Sequence, residues 1–228
     1  MKIALAYAMP GEIKSMLKAA DAPCMESPCG VSVYQLEEDV LAYGCGVGKV
    51  NAAMSTQLVI DRHHPDLILN VGVAGCFEDL PTGTIVLASE FVQHDVDTTA
   101  VGDPIGMVST VNRLVFPASG VETARQILRE QGIEHRVGRV ATGEVFLTRG
   151  ARADWIADTF HPLLCEMEGG AIAQVCLRNG IHVMSLKMVS DRLLADAKDG
   201  EYFDYPLAIK NLNAVALPFA QRLKKEQL

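Results

Sequence analysis

Hydrophobic residues along this chain fall into two alternating patterns. Near-continuous apolar runs at 2–8, 67–75, 84–92, 134–141 and 181–189 predict buried strands. Between them the polar and apolar positions predict helices over 13–20, 50–63, 121–131, 149–160 and 204–223. A hairpin is expected from 31–36 and 40–43, around the polar turn Glu37-Glu38-Asp39. A short strand leads into Glu166, and a helix runs from there to Asn179-Gly180. Ser119 is placed to N-cap the helix that follows it, Gly132 to end that helix, and Pro218 to kink the last one. Strands alternating with helices predict an α/β fold whose sheet is mostly parallel and covered on both faces. No linker, low-complexity run or internal repeat interrupts the pattern, so residues 1–228 are expected to form a single domain.

Charge and composition narrow the partners. The chain is nearly half hydrophobic, about a fifth charged, and carries a formal charge of −8 with no basic run. It therefore lacks the electrostatic footprint of a nucleic-acid or anionic-membrane binder. Residues 1–10 are too short an apolar run for a secretory segment and no later stretch reaches 18 apolar residues, so a cytoplasmic protein without a membrane span is expected. Cys24, Cys29, Cys45, Cys76, Cys165 and Cys176 include no C-x-x-C pair and are expected as reduced, buried thiols.

The polar residues that break this pattern sit where strands end. Glu166 and Glu168 lie two apart at a strand-to-helix junction, beside a Gly-Gly step. Two acids on one side of an extended segment are costly without partners. Ion pairing with Lys187 is one reading of them; work in a site is the other. Glu12, in the first helical turn after the first strand, either complements the helix dipole or faces a ligand. Ser190-Asp191 either starts a turn or ends the last central strand in the same site. In a parallel sheet Met9–Glu12, Gly72–Gly75, Glu166–Glu168 and Ser190-Asp191 gather at one edge. Several acids in one crevice suit a cationic transition state such as glycosidic cleavage, where one acid protonates the leaving group and another activates water.

Two tempting motifs fail. Gly44-Cys45-Gly46-Val47-Gly48-Lys49 lacks the first Gly and the Ser or Thr of a Walker loop, and has Lys49 where a dinucleotide fingerprint needs its third Gly. What it keeps is bare backbone N–H groups at a helix N-terminus. His94-Asp95-Val96-Asp97 has metal-ligand residue types, but no second cluster completes a shell, so polar residues at a strand end, near a pocket rim or partner subunit, are expected there and no metal.

Five segments, taken in order, resemble the nucleoside phosphorylase superfamily, and most closely its hydrolytic branch, the 5′-methylthioadenosine/S-adenosylhomocysteine nucleosidases. They are Ala8-Met9-Pro10-Gly11-Glu12, Gly46-Val47-Gly48-Lys49-Val50-Asn51-Ala52-Ala53, Asn70-Val71-Gly72-Val73-Ala74-Gly75, Glu166-Met167-Glu168 and Ser190-Asp191. The resemblance implies a three-layer αβα sandwich with a mixed, partly barrel-like central sheet, a homodimer, no metal or organic cofactor, and a place in methionine salvage. It implies a small-molecule nucleoside substrate, with Glu12 as the base that deprotonates water and Asp191, aided by Ser190, as the acid at the purine N7. Glu168 would hold the ribose 2′- and 3′-hydroxyls, with Met167 beneath the sugar and Glu166 nearby. Phe146 would stack on the purine and the Leu147 backbone bond its edge. Met9 and Val47 would line the ribose or 5′ side, and Val101 of the partner subunit would close the 5′ pocket.

The resemblance also marks departures. The nucleosidases usually have Ser where Val73 stands, Arg where Lys187 stands to grip Glu168, and an aromatic near Gly102-Asp103-Pro104; Arg192-Leu193-Leu194 is unusual after Asp191. Futalosine-type nucleosides or 5′-deoxyadenosine are alternative substrates. A purine or uridine phosphorylase is the enzymatic alternative, and a nucleoside-binding relative without turnover the non-enzymatic one. Phosphorolytic relatives typically place Arg at Asn70 and in the first loop. Glu12 in that loop sets an anion where phosphate would bind, which favours water.

Overall fold

The computed structural model describes residues 1–193 and 204–228. Its elements in chain order are β1 (Ile3–Tyr7), α1 (Pro10–Ala19), β2 (Cys24–Glu26), β3 (Val33–Glu37), β4 (Val40–Gly44), α2 (Lys49–His63), β5 (Leu67–Cys76) and β6 (Ile85–Gln93). There follow β7 (Phe116–Pro117), α3 (Val121–Glu130), β8 (His135–Thr142), α4 (Ala151–Phe160), β9 (Leu164–Glu166), α5 (Gly169–Asn179), β10 (His182–Arg192) and α6 (Tyr205–Leu223).

The apolar runs pair as β10-β6-β8-β9-β5-β1-β4-β3-β2, and β10 also pairs β5, so β5, β10, β6, β8 and β9 close into a ring. The sheet is mixed rather than mostly parallel. β1–β4, β1–β5, β5–β10, β6–β8 and β8–β9 are parallel, while β6–β10 and β5–β9, which close the ring, are antiparallel, as are the β2–β3, β3–β4 and β6–β7 pairs. Successive side chains go to opposite faces. Ala4, Ala6 and Ile68 pack with α2 and α5 on one face; Ile3, Leu5, Leu67 and Leu69 pack with α1, α3 and α6 on the other. Each fully buried Ile or Leu among them contributes about 1.5–3 kcal/mol, and each Ala less. The third cluster joins α4 to the ring through Phe77, Val92, Ile156 and Phe160.

Several local expectations change. Gly120, in the left-handed region, is the N-cap of α3; Ser119 instead ties β10 by accepting from Val183 N–H at 3.2 Å. α6 runs through Pro218 as one helix, started by Asp204, whose carboxylate accepts from Leu207 N–H at 3.0 Å. Ser190 and Asp191 lie within β10, where the β5 register slips between Val189 and Asp191. Such a bulge re-aims side chains. Cys45, Cys76, Cys165 and Cys176 are buried free thiols, whereas Cys24 and Cys29 are exposed. No helix among the described residues is long and apolar enough to cross a membrane. Leu194 lies outside the described residues.

Candidate active site

The strand ends meet in one crevice. Glu12, Glu166, Glu168, Ser190 and Asp191 line it, with apolar walls from Met9, Val47, Val73 and Met167 and a further edge from Phe146 and Leu147. Phe146 is 68 % exposed, while Leu147 is buried. Val101 stands apart, 80 % exposed and outside the crevice lining.

Three of the acids are held by helix N-termini. Pro10 opens α1 with its fixed φ, which puts Glu12 in the first turn. Glu12 Oε2 accepts from Ala8 N–H at 2.8 Å and Met9 N–H at 2.9 Å, and Oε1 from Val73 N–H at 3.2 Å. The helix-dipole reading and the ligand reading of Glu12 thus describe one geometry. Burial raises its pKa above the ordinary carboxylate value, against the pull of Lys187 and these amides. Glu12 comes close because Gly72 carries no side chain: a Cβ there would stand 2.6 Å from Oε1.

Glu168 is the N-cap of α5, and its Oε1 accepts from Gly48 N–H at 2.9 Å. Gly48, at φ 92° and ψ 160°, is in turn the N-cap of α2. The Gly-rich turn that failed as a phosphate loop therefore offers its amide to a carboxylate of the chain itself. Burial and the neighbouring Glu166 push Glu168 up to about 7.

Glu166 Oε2 accepts from Glu168 N–H at 3.0 Å and Gly169 N–H at 2.7 Å, and Oε1 accepts from the Thr142 hydroxyl. Lys187 Nζ lies 3.4 Å from Glu166 Oε2. Of the two acids expected as its partners, Lys187 forms its ion pair with Glu166, and it also donates a hydrogen bond to Asn70 Oδ1 at 3.2 Å. Burial works against the Lys187 charge, but Glu166, Glu168 and Glu12 together hold the ammonium above its ordinary value.

Asp191 is treated differently. Burial raises its pKa, and the opposing contact is the Ser190 hydroxyl, which lies 2.7 Å from Oδ1. Gly75 leaves room for it, since a Cβ there would stand 3.0 Å from Oδ2.

Some contributors carried no clear sequence signal. Tyr205, at the start of α6, lines the crevice. Glu144 accepts from Val50 N–H at 3.1 Å beside Gly48; only the glycines of that turn pointed to the place. His94 packs its ring against Gly143, and Asp95 holds Lys49 at 2.6 Å and Glu144 N–H at 2.8 Å, so this segment braces the end of β6. Among the described residues no group of three His, Cys, Asp or Glu is placed to hold a metal ion. None of the described residues lining the crevice is Lys or Arg.

Known proteins are similar to this chain in sequence and shape. The family model described as the phosphorylase superfamily matches residues 2–220. The 5′-methylthioadenosine/S-adenosylhomocysteine nucleosidase of Shewanella halifaxensis is 34% identical over 204 residues, covering 86% of this chain and 89% of that protein. The Campylobacter jejuni 5′-methylthioadenosine/S-adenosyl homocysteine nucleosidase superposes over 100% of both chains with a TM-score of 0.88 at 27% identity. The Helicobacter pylori nucleosidase with butyl-thio-DADMe-Immucillin-A gives 0.87 at 27% identity, over 98% of this chain and 99% of that one. With a crevice of four carboxylates at the strand ends of a ring-closed α/β sheet, this chain belongs to the phosphorylase superfamily and, within it, to the 5′-methylthioadenosine/S-adenosylhomocysteine nucleosidases.

Proposed function

We propose that the crevice hydrolyses the N-glycosidic bond of 5′-methylthioadenosine and S-adenosylhomocysteine, releasing adenine and the 5-thioribose product. The observation that carries this is a crevice with Glu12 and Asp191 on its walls and no Lys or Arg among the described lining residues. A phosphate nucleophile would meet carboxylates there; water meets a base.

In this reading water attacks the ribose anomeric carbon while Glu12 takes its proton. The bond to the purine breaks as Asp191 protonates N7, with Ser190 orienting the carboxyl. Glu168 holds the 2′- and 3′-hydroxyls above Met167, and its charge supports the positive charge that develops on the sugar. Glu166 acts from behind, as the partner of Lys187. Phe146 stacks on the purine and the Leu147 backbone bonds its edge. Met9, Val47 and Val73 give an apolar surface suited to a thioether.

We read the assembly as a homodimer in which Val101 of a second copy closes the 5′ end. Val47, Val50 and Met54 support this: all three are exposed and spaced along one side of the α2 N-terminus beside the crevice. We also read residues 1–228 as one domain, working in the cytoplasm in methionine salvage.

Adenine release from 5′-methylthioadenosine, followed with and without inorganic phosphate, tests the reaction. Equal release in both buffers, with the free sugar as product, is expected. Strict dependence on phosphate would overturn hydrolysis.

A further inference from the structure

Lys187 makes its two closest polar side-chain contacts, to Asn70 and Glu166, deep in the protein. Asn70 and Lys187 are 1 % and 2 % exposed, and Lys187 Nζ donates to Asn70 Oδ1 at 3.2 Å while lying 3.4 Å from Glu166 Oε2. β5 and β10 run parallel here with Lys187 opposite Gly72, two residues beyond Asn70 on β5. A Cβ at Gly72 would stand 3.4 Å from Lys187 Nζ and 2.6 Å from Glu12 Oε1, so ammonium and carboxylate approach each other across a bare Cα. Glu12, Glu166 and Glu168 all attract this ammonium.

A lysine head is a compact charge on a flexible stem, without the planar fork by which an arginine fixes its partner. Something else must therefore choose among three carboxylates, and the Asn70 oxygen is in place to do it. Asn70 is kept there at a cost. Its Nδ2 is buried with no hydrogen-bond partner among the described residues, and it lies 3.0 Å from where a Gly169 Cβ would be. An apolar side chain of that size would avoid this penalty but would offer Lys187 no acceptor.

We propose that Asn70 is a positioning residue for the ribose grip: by accepting one hydrogen bond from Lys187 it keeps the ammonium on Glu166 and leaves the Glu168 carboxylate to the sugar hydroxyls. This rests on the reading that Glu168 binds the ribose. Released from Asn70, Lys187 turns toward Glu168 and competes with the substrate.

The test is Asn70→Leu, with Asn70→Ala read in the same way if the first does not yield folded enzyme. KM for 5′-methylthioadenosine is expected to rise about tenfold, with kcat changed less. The inhibition constant of the 2′,3′-dideoxy analogue, which offers Glu168 nothing to hold, is expected to stay near the parental value. Unchanged KM, or an equal loss for both ligands, overturns the role of Asn70. Glu168→Gln is measured alongside. If it weakens the nucleoside and spares the analogue while Asn70→Leu does nothing, the Asn70 inference alone fails; if Glu168→Gln binds both as the parent does, the ribose grip itself fails.

Discussion

The crevice holds its carboxylates in two different ways. At one side Glu12, Glu166 and Glu168 accept backbone N–H groups at the N-termini of α1, α5 and α2, and Lys187 stands behind them. At the other side Asp191 sits in β10 beside Gly75 and Leu193, with the Ser190 hydroxyl as its partner. Amides and a cation favour the charged form of an acid, whereas burial favours the neutral one. Burial raises Glu12, Glu168 and Asp191 alike, so the contrast lies in what opposes it: amides and a cation on one side, a single hydroxyl on the other. In the proposed reaction the first side supplies the base and the sugar grip, and Asp191 the proton for the leaving group.

The largest break in this contrast is expected from Glu12→Gln, which keeps the shape and one acceptor but cannot take a proton. Single-turnover release of adenine should slow by about 10²–10⁴-fold with little change in substrate binding. A loss below about tenfold would leave Glu12 as a helix cap alone. Gly48→Ala comes next. Its backbone lies in a region reserved almost entirely for glycine, and the new methyl would meet the Glu144 carboxylate. The strain is worth about 1–3 kcal/mol by denaturant unfolding, and the shifted amide should also weaken nucleoside binding. Parental stability and KM would separate Gly48 from the Glu168 grip.

The smallest effect is the pH dependence of the ligand-free protein. Glu168 is raised from 4.5 to about 7, and Glu12 and Asp191 shift in the same sense. Between those values the folded chain keeps a proton that the unfolded chain has released. The stability this brings is full below the unfolded value and is lost as pH rises through about 7. The parent's melting temperature should therefore fall relative to that of Glu168→Gln between about pH 5 and pH 8; His94, held below its ordinary value by burial, works in the opposite sense and is common to both proteins. A difference between the two that is constant over this range contradicts the assignment.

Much of this was legible in the chain itself, for a physical reason. Each crevice acid follows or ends an apolar strand run, so the polarity change marks the strand end at Glu12, Glu166 and Asp191. The relation among distant segments was less legible. The antiparallel closures β6–β10 and β5–β9 depend on pairings far apart in sequence, so apolar runs alone suggested a mostly parallel sheet. β2 is short, with polar and exposed positions, and gave no run to detect. Which acid Lys187 pairs with was left open between Glu166 and Glu168, because it is set by the approach of separate elements; the ammonium meets Glu166 and, on the neighbouring strand, Asn70. The bulge at Ser190 is a register slip between two strands, which neither strand's sequence shows alone.

Proton donation by Asp191 is tested most directly by changing the leaving group. Parental enzyme and Asp191→Asn are compared on 5′-methylthioadenosine and on the p-nitrophenyl 5-methylthioriboside, whose phenolate departs without being protonated. If Asp191 is the donor, the variant loses about 10²–10⁴ in kcat on the purine nucleoside and stays near the parent on the nitrophenyl substrate. An equal loss on both would contradict the role assigned to Asp191 and the division of the crevice built on it.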